Sequence, residues 1–291
     1  MKLQPECVTC IIAQVRTVSD MLKLSEQKKQ EAMRDTIDYL GAANYEGCTP
    51  ESMGELWQIL LGHVGEADPY ASIKSQCNHE AMKMIPVTRE KILRAKDPLV
   101  TALKYAIAGN LIDYGLEHPV SIEDQNEQID TIAKAPFARD SSEALRKAIS
   151  QAKTMLYLGD NAGEIVFDKL LIEEIHREYP KVQISFVVKG SAVLNDVTQT
   201  DALEVGMDAV ARILDNGDCA PGTVLPRTSG AFRAEFDAAD VILSKGQGNF
   251  ESLNEEKKKG LFFLFTAKCD SVCAEVNVPK LSIVCLENHN V

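Results

Sequence analysis

The second half of the chain alternates short apolar runs with longer amphipathic segments, and this alternation constrains the fold more than any other feature. The runs have the length of buried strands, while residues 165–178 and 229–239 carry apolar side chains at helical spacing. Alternating strands and helices favour an α/β fold, in which a mainly parallel sheet lies inside a three-layer α/β/α sandwich. The runs that we predict as strands are 155–158, 184–188, 212–214, 241–243, 261–265 and 283–285.

The first half of the chain carries almost no strand-like pattern and instead predicts helices. Residues 10–24 and 98–116 both place apolar side chains at helical spacing. The second of these segments follows an aspartate and begins with a proline, which is a common start signal for a helix. We therefore predict a helical N-terminal domain over residues 1–150. It would close over a Rossmann-like α/β domain over residues 151–291.

The formal net charge of −12 and the sequence pI near 5.0 limit the partners of this chain. An acidic surface repels nucleic acids and anionic lipids, so we expect no nucleic-acid partner and no membrane. No apolar run approaches the roughly 20 residues that span a bilayer. The N-terminal residues lack the apolar block of a signal peptide, so we expect a cytoplasmic protein. The sequence predicts no particular oligomeric state.

Polar residues collect in the loops that follow the predicted strands. Because the carboxyl ends of parallel strands meet at one edge of a sheet, ligands of such folds bind there. Any one of these loops alone is ordinary turn or capping chemistry. Their recurrence at successive strand ends indicates a binding site instead. The loops that combine glycine with Asp, Asn or Lys are 159–164, 189–198, 215–223 and 244–250.

The residue types in these loops suit a divalent cation and a phosphate. Asp160 and Asn161 are adjacent at a turn, and Asp196 follows the next strand, so all three could direct oxygens at one ion. Oxygen ligands of this kind suit Mg²⁺ or Mn²⁺. Lys245 could neutralise a phosphoryl group, while Gly246 would let backbone N–H groups approach it. A small phosphorylated substrate is therefore the expected partner.

Ordered motifs run through nearly the whole chain and together resemble one known family. In the α/β half they are residues 159–164 (GDNAGE), 195–198 (NDVT), 215–217 (DNG), 220–223 (APGT) and 245–251 (KGQGNFE). In the helical half and near the ends they are residues 7–10 (CVTC), 68–70 (DPY) with Lys74 and Asn78, 108–110 (AGN), 112–113 (ID) and 268–269 (KC). The chain resembles the DUF89 family, also called damage-control phosphatases, and most closely its compact prokaryotic branch.

This resemblance implies a metal-dependent phosphatase that hydrolyses small phosphomonoesters, such as sugar phosphates or damaged phosphometabolites. It implies that Asp160, Asn161 and Asp196 bind the metal, which could be Mg²⁺, Mn²⁺, Co²⁺ or Ni²⁺, since oxygen ligands select weakly among these ions. It also implies that Lys245 and Asn249 lie on the phosphate side of the site.

The resemblance further suggests Glu164, Asn110 and Asp113 as residues of the substrate pocket. A metal-bound or carboxylate-oriented water would attack phosphorus in line. Glu164 and Asp196 are both candidates for the general base. A covalent aspartyl-phosphate route is an open alternative.

Other classes of function fit the same loops. They could form a nucleotide- or anion-binding module without hydrolysis, or the site of a phosphoryl or methyl transferase. A further reading is an interaction domain built on an inactive sheet, which the intact Asp160, Asn161 and Asp196 set argues against. Tight binding of a nucleotide or methyl donor, without metal-dependent phosphate release, would favour the alternatives over a phosphatase.

Two cysteine pairs lie near the ends of the chain. Cys7 and Cys10 are three residues apart on one helix face, and Cys269 and Cys273 are a loosely spaced possible partner pair. Free cysteine is commonly buried, so we interpret these residues mainly as reduced packing cysteines. A structural metal site or a redox role remains the alternative.

Overall fold

The computed structural model describes residues 1–111 and 122–288. All the predicted strands are present, and a further strand lies at an edge of the sheet. Within the described residues the strands are β1 (Arg139–Asp140), β2 (Thr154–Leu158), β3 (Gln183–Val188), β4 (Arg212–Asp215), β5 (Val241–Lys245), β6 (Leu261–Thr266) and β7 (Ile283–Glu287).

The strands form one sheet in the order β1-β7-β6-β5-β2-β3-β4. Neighbouring strands are parallel except for the antiparallel pair of β6 and β7. The mainly parallel sheet that the sequence predicted is therefore confirmed. Because β2, β3, β5 and β6 all point the same way, their carboxyl ends meet along one edge, where the predicted loops begin.

Helices cover both faces of the sheet and also build the N-terminal region. Their bounds are α1 (Pro5–Met21), α2 (Glu26–Ala42), α3 (Thr49–Val64), α4 (Ala71–Arg94), α5 (Pro98–Ala108), α6 (Ile122–Lys134), α7 (Ser142–Gln151), α8 (Glu164–Glu178), α9 (Gln199–Glu204), α10 (Gly230–Ala238), α11 (Gln247–Leu253) and α12 (Asp270–Val276).

Strand β2 shows why this is a three-layer sandwich. Met155 and Tyr157 pack in one cluster with helices α4, α5 and α8, while Leu156 and Leu158 pack in another with α10, α11 and α12. A strand that is buried on both faces needs apolar residues at consecutive positions, as the sequence of β2 has. The predicted α/β/α sandwich is confirmed.

The start signal before α5 acts as the sequence predicted. Asp97 accepts a hydrogen bond from the Val100 backbone N–H at 3.1 Å, and Pro98 occupies the first turn. The α-helix ends at Ala108 and continues as a 3₁₀ turn over Gly109–Leu111. Residues 112–116 of the predicted helix lie outside the described residues.

The sheet and its core extend across the proposed boundary at residue 150. Strand β1 precedes that position, yet it pairs with β7 in parallel, with Arg139 opposite Val284. The strand was missed because its two residues are exposed and carry no apolar pattern. Leu103 of α5 and Phe167 of α8 belong to one buried cluster, so the two halves of the chain share a core.

None of the helices in the described part of the chain combines the length and the apolar character that a membrane span needs.

Candidate active site

The loops after β2 and β3 are joined by backbone contacts. The carbonyl oxygen of Asp160 accepts a hydrogen bond from the Val197 N–H at 2.9 Å. Asn161 and Asp196 pair as an isolated antiparallel bridge. The structure therefore brings together the three residues that the resemblance implies as metal ligands, although they come from two separate loops.

A pocket of about 320 Å³ opens above these loops. Asp160 and Asp196 contribute to its floor, and Lys268 lies on its wall. Cys10 and Gln14 of α1 and Thr49 and Met53 of α3 also line it. The pocket thus lies between the helical N-terminal region and the carboxyl edge of the sheet.

Crowded carboxylates dominate the electrostatics of this pocket. Burial raises the pKa of Asp160 well above its usual range, and the neighbouring Glu164 and Asp196 raise it further. Lys268 and Lys189 oppose that rise. The arrangement therefore concentrates negative charge that a bound cation would neutralise.

Asp196 provides the observation that tests whether a cation fits. Burial raises its pKa to about 6, against the opposing charge of Lys189. Its Oδ2 atom is buried and makes no hydrogen bond, and the Lys189 Nζ atom is 3.4 Å away. Buried polar atoms are rarely left without a partner unless an ion or water satisfies them. This oxygen has an ion pair with Lys189 but no hydrogen bond, and together with Asp160 and Asn161 it fits a divalent cation with oxygen ligands.

The oxygens that could bind a divalent cation come from both carboxylate and amide side chains. Within residues 1–111 and 122–288, no group of three or more His, Cys, Asp or Glu side chains is arranged to hold a metal. The cysteine pairs therefore form no such site in this part of the chain. Cys10 instead lies on the wall of the pocket.

Lys245 has contacts different from those that the sequence suggested. Its side chain is fully buried, and Nζ donates to the Ala106 carbonyl oxygen at 2.9 Å, to Asp168 Oδ1 at 2.6 Å and to Glu164 Oε1. A lysine ammonium has three N–H donors. All of them are therefore used inside the protein, and Lys245 does not line the pocket.

Asn110 connects the helical region to the acidic cluster. Its Nδ2 atom donates to Asp160 Oδ2 at 2.6 Å and to Glu164 Oε2 at 2.5 Å. Its Oδ1 atom accepts a hydrogen bond from Lys268 Nζ. Asn110 thus joins the carboxylates of Asp160 and Glu164 by hydrogen bonds next to the pocket. Asp113, the other pocket residue suggested from this region, lies outside the described residues.

Gly246 and Asn249 hold the loops close together. Gly246 has a φ of 82°, and a Cβ atom there would lie 2.1 Å from Asp160 Oδ2. Only glycine therefore permits this approach. Asn249 is buried and donates to the carbonyl oxygens of Lys245 at 2.7 Å and Gly159 at 3.2 Å. Both residues shape the carboxyl edge of the sheet around Asp160.

The structure adds Lys268, Lys189 and Asp168 to the residues that the sequence suggested. Lys268 follows β6 and Lys189 follows β3. Both lysines lie in segments that the sequence had singled out, Lys189 in the loop 189–198 and Lys268 in the motif 268–269, but the pattern assigned neither of them a role. Asp168 lies one helical turn after Glu164, on the same face of α8, and this spacing was the available signal.

Asp168 leads to a prediction about pH and stability. Burial raises its pKa to about 7, whereas an unfolded carboxyl titrates near 3.9. The folded protein therefore binds more protons at this site between about pH 4 and pH 7, so the free energy of unfolding falls as pH rises through that range. We expect a steeper fall in the wild type than in Asp168→Asn, which keeps an acceptor for the Tyr157 hydroxyl. Urea unfolding at a series of pH values measures both slopes, and equal slopes would contradict the prediction.

Buried carboxylates beside a lysine, at the carboxyl edge of a parallel sheet, are features of an enzyme that handles phosphate. Residues 3–284 match the family model described as the damage-control phosphatase ARMT1-like domain, and the chain belongs to this family. The resemblance to the DUF89 family that the motifs indicated is confirmed.

Relatives named damage-control phosphatase match almost the whole chain. The one from Pyrococcus horikoshii is 33% identical over 289 residues, which cover 99% of this chain and 99% of the relative. The one from Archaeoglobus fulgidus is 30% identical over 282 residues, or 96% of each chain. A crystal structure of a DUF89 family protein from P. horikoshii has a TM-score of 0.91 and 32% identity, over 99% of both chains. These relatives support a phosphatase role.

Proposed function

We propose that this protein is a divalent-cation-dependent phosphatase that acts on small phosphorylated metabolites, such as sugar phosphates or damaged phosphometabolites. The observation that carries the proposal is the pocket in which Asp160, Asp196 and Lys268 face one volume of about 320 Å³. That volume suits a phosphoryl group with a small organic portion, at the lower end of the range of small-molecule sites. Family membership supports the phosphatase chemistry.

In this proposal Asp160, Asn161 and Asp196 hold the cation, which is Mg²⁺, Mn²⁺, Co²⁺ or Ni²⁺. When bound, the cation supplies Lewis-acid polarisation of the phosphoryl group. The unsatisfied Asp196 Oδ2 atom and the crowded Asp160 carboxylate support this assignment.

The phosphoryl oxygens would be contacted by Lys268. This lysine is exposed and lines the pocket, whereas all three donors of Lys245 are engaged elsewhere. Lys245 would instead hold Glu164 in place, although the sequence suggested it as the phosphate ligand. Glu164 in turn accepts hydrogen bonds from Asn110 and Asn161, so the lysine acts on the pocket through its carboxylate.

The burial of Glu164 also bears on the choice of general base. Its side chain is 1% exposed, and its two oxygens already bind Lys245 and Asn110. Asp196 lines the floor of the pocket, and one of its oxygens accepts no hydrogen bond. We therefore assign the orientation of the attacking water to the carboxylates of the pocket floor rather than to Glu164.

A phosphate-release screen over a panel of phosphometabolites, run with Mg²⁺, Mn²⁺, Co²⁺ and Ni²⁺ in turn, tests the proposal. We expect release from at least one small phosphomonoester that disappears in the presence of a chelator and returns when the cation is restored. Tight binding of a nucleotide or methyl donor, with no phosphate release under any cation, would refute it and favour a binding module or a transferase.

Replacing Lys268 tests the phosphate contact. We expect Lys268→Met to lower kcat/KM by roughly 10²-fold, the usual loss when one charged or hydrogen-bonding contact to the reacting group is removed. The thermal midpoint should change little, because this side chain is exposed. Lys280→Met, which replaces another exposed lysine that does not line the pocket, serves as the control. Unchanged phosphatase kinetics in Lys268→Met would refute the contact.

A further inference from the structure

Helix α4 presents two buried polar side chains one turn apart. Lys74 is 1% exposed and Asn78 is 0% exposed. Residues four apart in a helix lie on the same face. Burying a lysine and an amide is unfavourable unless each finds hydrogen-bond partners. Their partners include Gly163, in the loop that follows β2, and two acidic residues of α9, the helix that follows the Asp196 loop.

Asn78 binds the backbone of the loop that carries Asp160 and Asn161. Its Oδ1 atom accepts a hydrogen bond from the Gly163 N–H at 2.7 Å, in a buried position. Gly163 has a φ of 80° and turns the chain from that loop into α8. The Asn78 Nδ2 atom donates to Glu204 Oε2 at 2.7 Å, so the amide is held at both ends.

Lys74 binds the segment that carries Asp196. Its Nζ atom lies 2.8 Å from Asp201 Oδ2 and 2.8 Å from Asp68 Oδ2. Asp201 Oδ2 also accepts hydrogen bonds from the Thr198 N–H at 2.8 Å and the Thr198 hydroxyl at 2.7 Å. This capping box starts α9 two residues after Asp196. One face of α4 therefore holds both loops.

We propose that Lys74 and Asn78 of α4 are positioning residues, which set the placement of the Asp160–Asn161 loop relative to the Asp196 loop and thereby determine cation affinity. This inference rests on the cation site of the proposed function. It assigns the helical N-terminal region a role in building the cation site, in addition to covering the pocket. Residues that orient metal ligands typically change cation affinity by about 10- to 100-fold when they are replaced.

Lys74 offers a test in which positioning and simple electrostatics predict opposite signs. On charge alone, Lys74→Met removes a cation that repels the bound ion, so Mn²⁺ should bind more tightly. If Lys74 positions the loop, the same variant should bind Mn²⁺ about 10-fold more weakly.

Calorimetric titration of the cation-free protein with Mn²⁺ alone measures this affinity directly. We expect Asn78→Leu and Lys74→Met each to weaken Mn²⁺ binding about 10-fold or more. Ser75→Ala is the matched control, because Ser75 lies on the same helix and binds Glu204 Oε1 but contacts neither loop. It should bind Mn²⁺ as the wild type does. A purely structural role would lower the melting temperature of Asn78→Leu without changing its Mn²⁺ affinity, and that result would overturn the inference.

A double variant that restores the hydrogen bonds at position 78 tests the same role even if the single variants fail to fold. In Asn78→Asp combined with Glu204→Gln, the new carboxylate can accept from both the Gly163 N–H and the new amide, and the net charge is unchanged. We expect Mn²⁺ affinity to return to within about 3-fold of the wild type, well inside the loss expected for the single variants. Failure of this pair to bind Mn²⁺ while correctly folded would count against the inference.

The wild-type titration separates the two proposals. If the wild type shows no Mn²⁺ binding that depends on Asp160, the proposed function itself fails. If the wild type binds Mn²⁺ and releases phosphate, but the Lys74 and Asn78 variants bind Mn²⁺ equally well, only the positioning role fails.

Discussion

Asp160→Asn is expected to lower cation-dependent phosphate release by about 10³-fold, because a cation at a phosphoryl group contributes several kcal/mol of stabilisation to the transition state. The same variant should melt at a higher temperature than the wild type in the absence of cation. Asp160 is crowded by Glu164 and Asp196, so removing its charge relieves repulsion in the folded state. The increase in melting temperature that Mn²⁺ produces in the wild type should disappear in the variant.

Asp215→Asn is the matched control for this prediction. Asp215 also lies at the carboxyl end of a parallel strand, β4, but it is exposed, and its side chain accepts a hydrogen bond from the Gly217 N–H at 3.0 Å. This variant should retain wild-type phosphate release and the Mn²⁺-dependent rise in melting temperature. Full activity in Asp160→Asn would refute the assignment of the cation site. A loss of activity that is equal in both variants would show that the effect is not specific to the pocket.

Lys245→Met is expected to have the largest effect on stability, with a loss of about 3–5 kcal/mol in the free energy of unfolding. The variant leaves the Glu164 and Asp168 carboxylates buried without their shared cation. Buried charges without a partner are costly because the interior cannot replace the lost solvation. Guanidinium unfolding near neutral pH measures this loss. The free energy of unfolding should depend on guanidinium concentration with the same slope in the wild type and the variant.

A second variant tests the cause of that loss. Lys245→Met combined with Asp168→Asn removes one positive and one negative charge, so it restores the net charge of the buried group. It should recover part of the stability that the single variant loses. Lys280→Met, at an exposed ion pair with Asp270, should change the free energy of unfolding by less than about 1 kcal/mol. A loss this small in Lys245→Met would mean that the buried network contributes little.

The strands could be predicted because their signal is local. A parallel strand that is covered on both faces needs consecutive apolar residues, and runs such as those of β2 and β6 show this directly. Strand β1 carries no such signal, because its two exposed residues join the sheet only through backbone pairing with β7. The antiparallel direction of β7 could not be predicted either, because it depends on how the chain returns to the sheet rather than on the residues of the strand.

The loops of the candidate site could also be located, because glycine, aspartate and asparagine collect where parallel strands end. The partners of their charged side chains could not. Lys245 follows its strand as the sequence pattern requires, yet its ammonium group binds Glu164, which is 81 residues away along the chain. The pocket lysine is instead Lys268, which binds Asn110 across 158 residues.

The α/β architecture and the edge of the sheet where polar residues gather could be predicted, because both follow from the periodicity and turn chemistry of short segments. The identity of the lysine that faces the pocket, of the carboxylates that are buried together and of the α4 residues that hold the loops could not be predicted in this way. These features are hydrogen bonds and ion pairs between distant segments, and such contacts depend on how the segments pack in space. Asn78 and Gly163 are separated by 85 residues, and only the folded chain brings them within 2.7 Å.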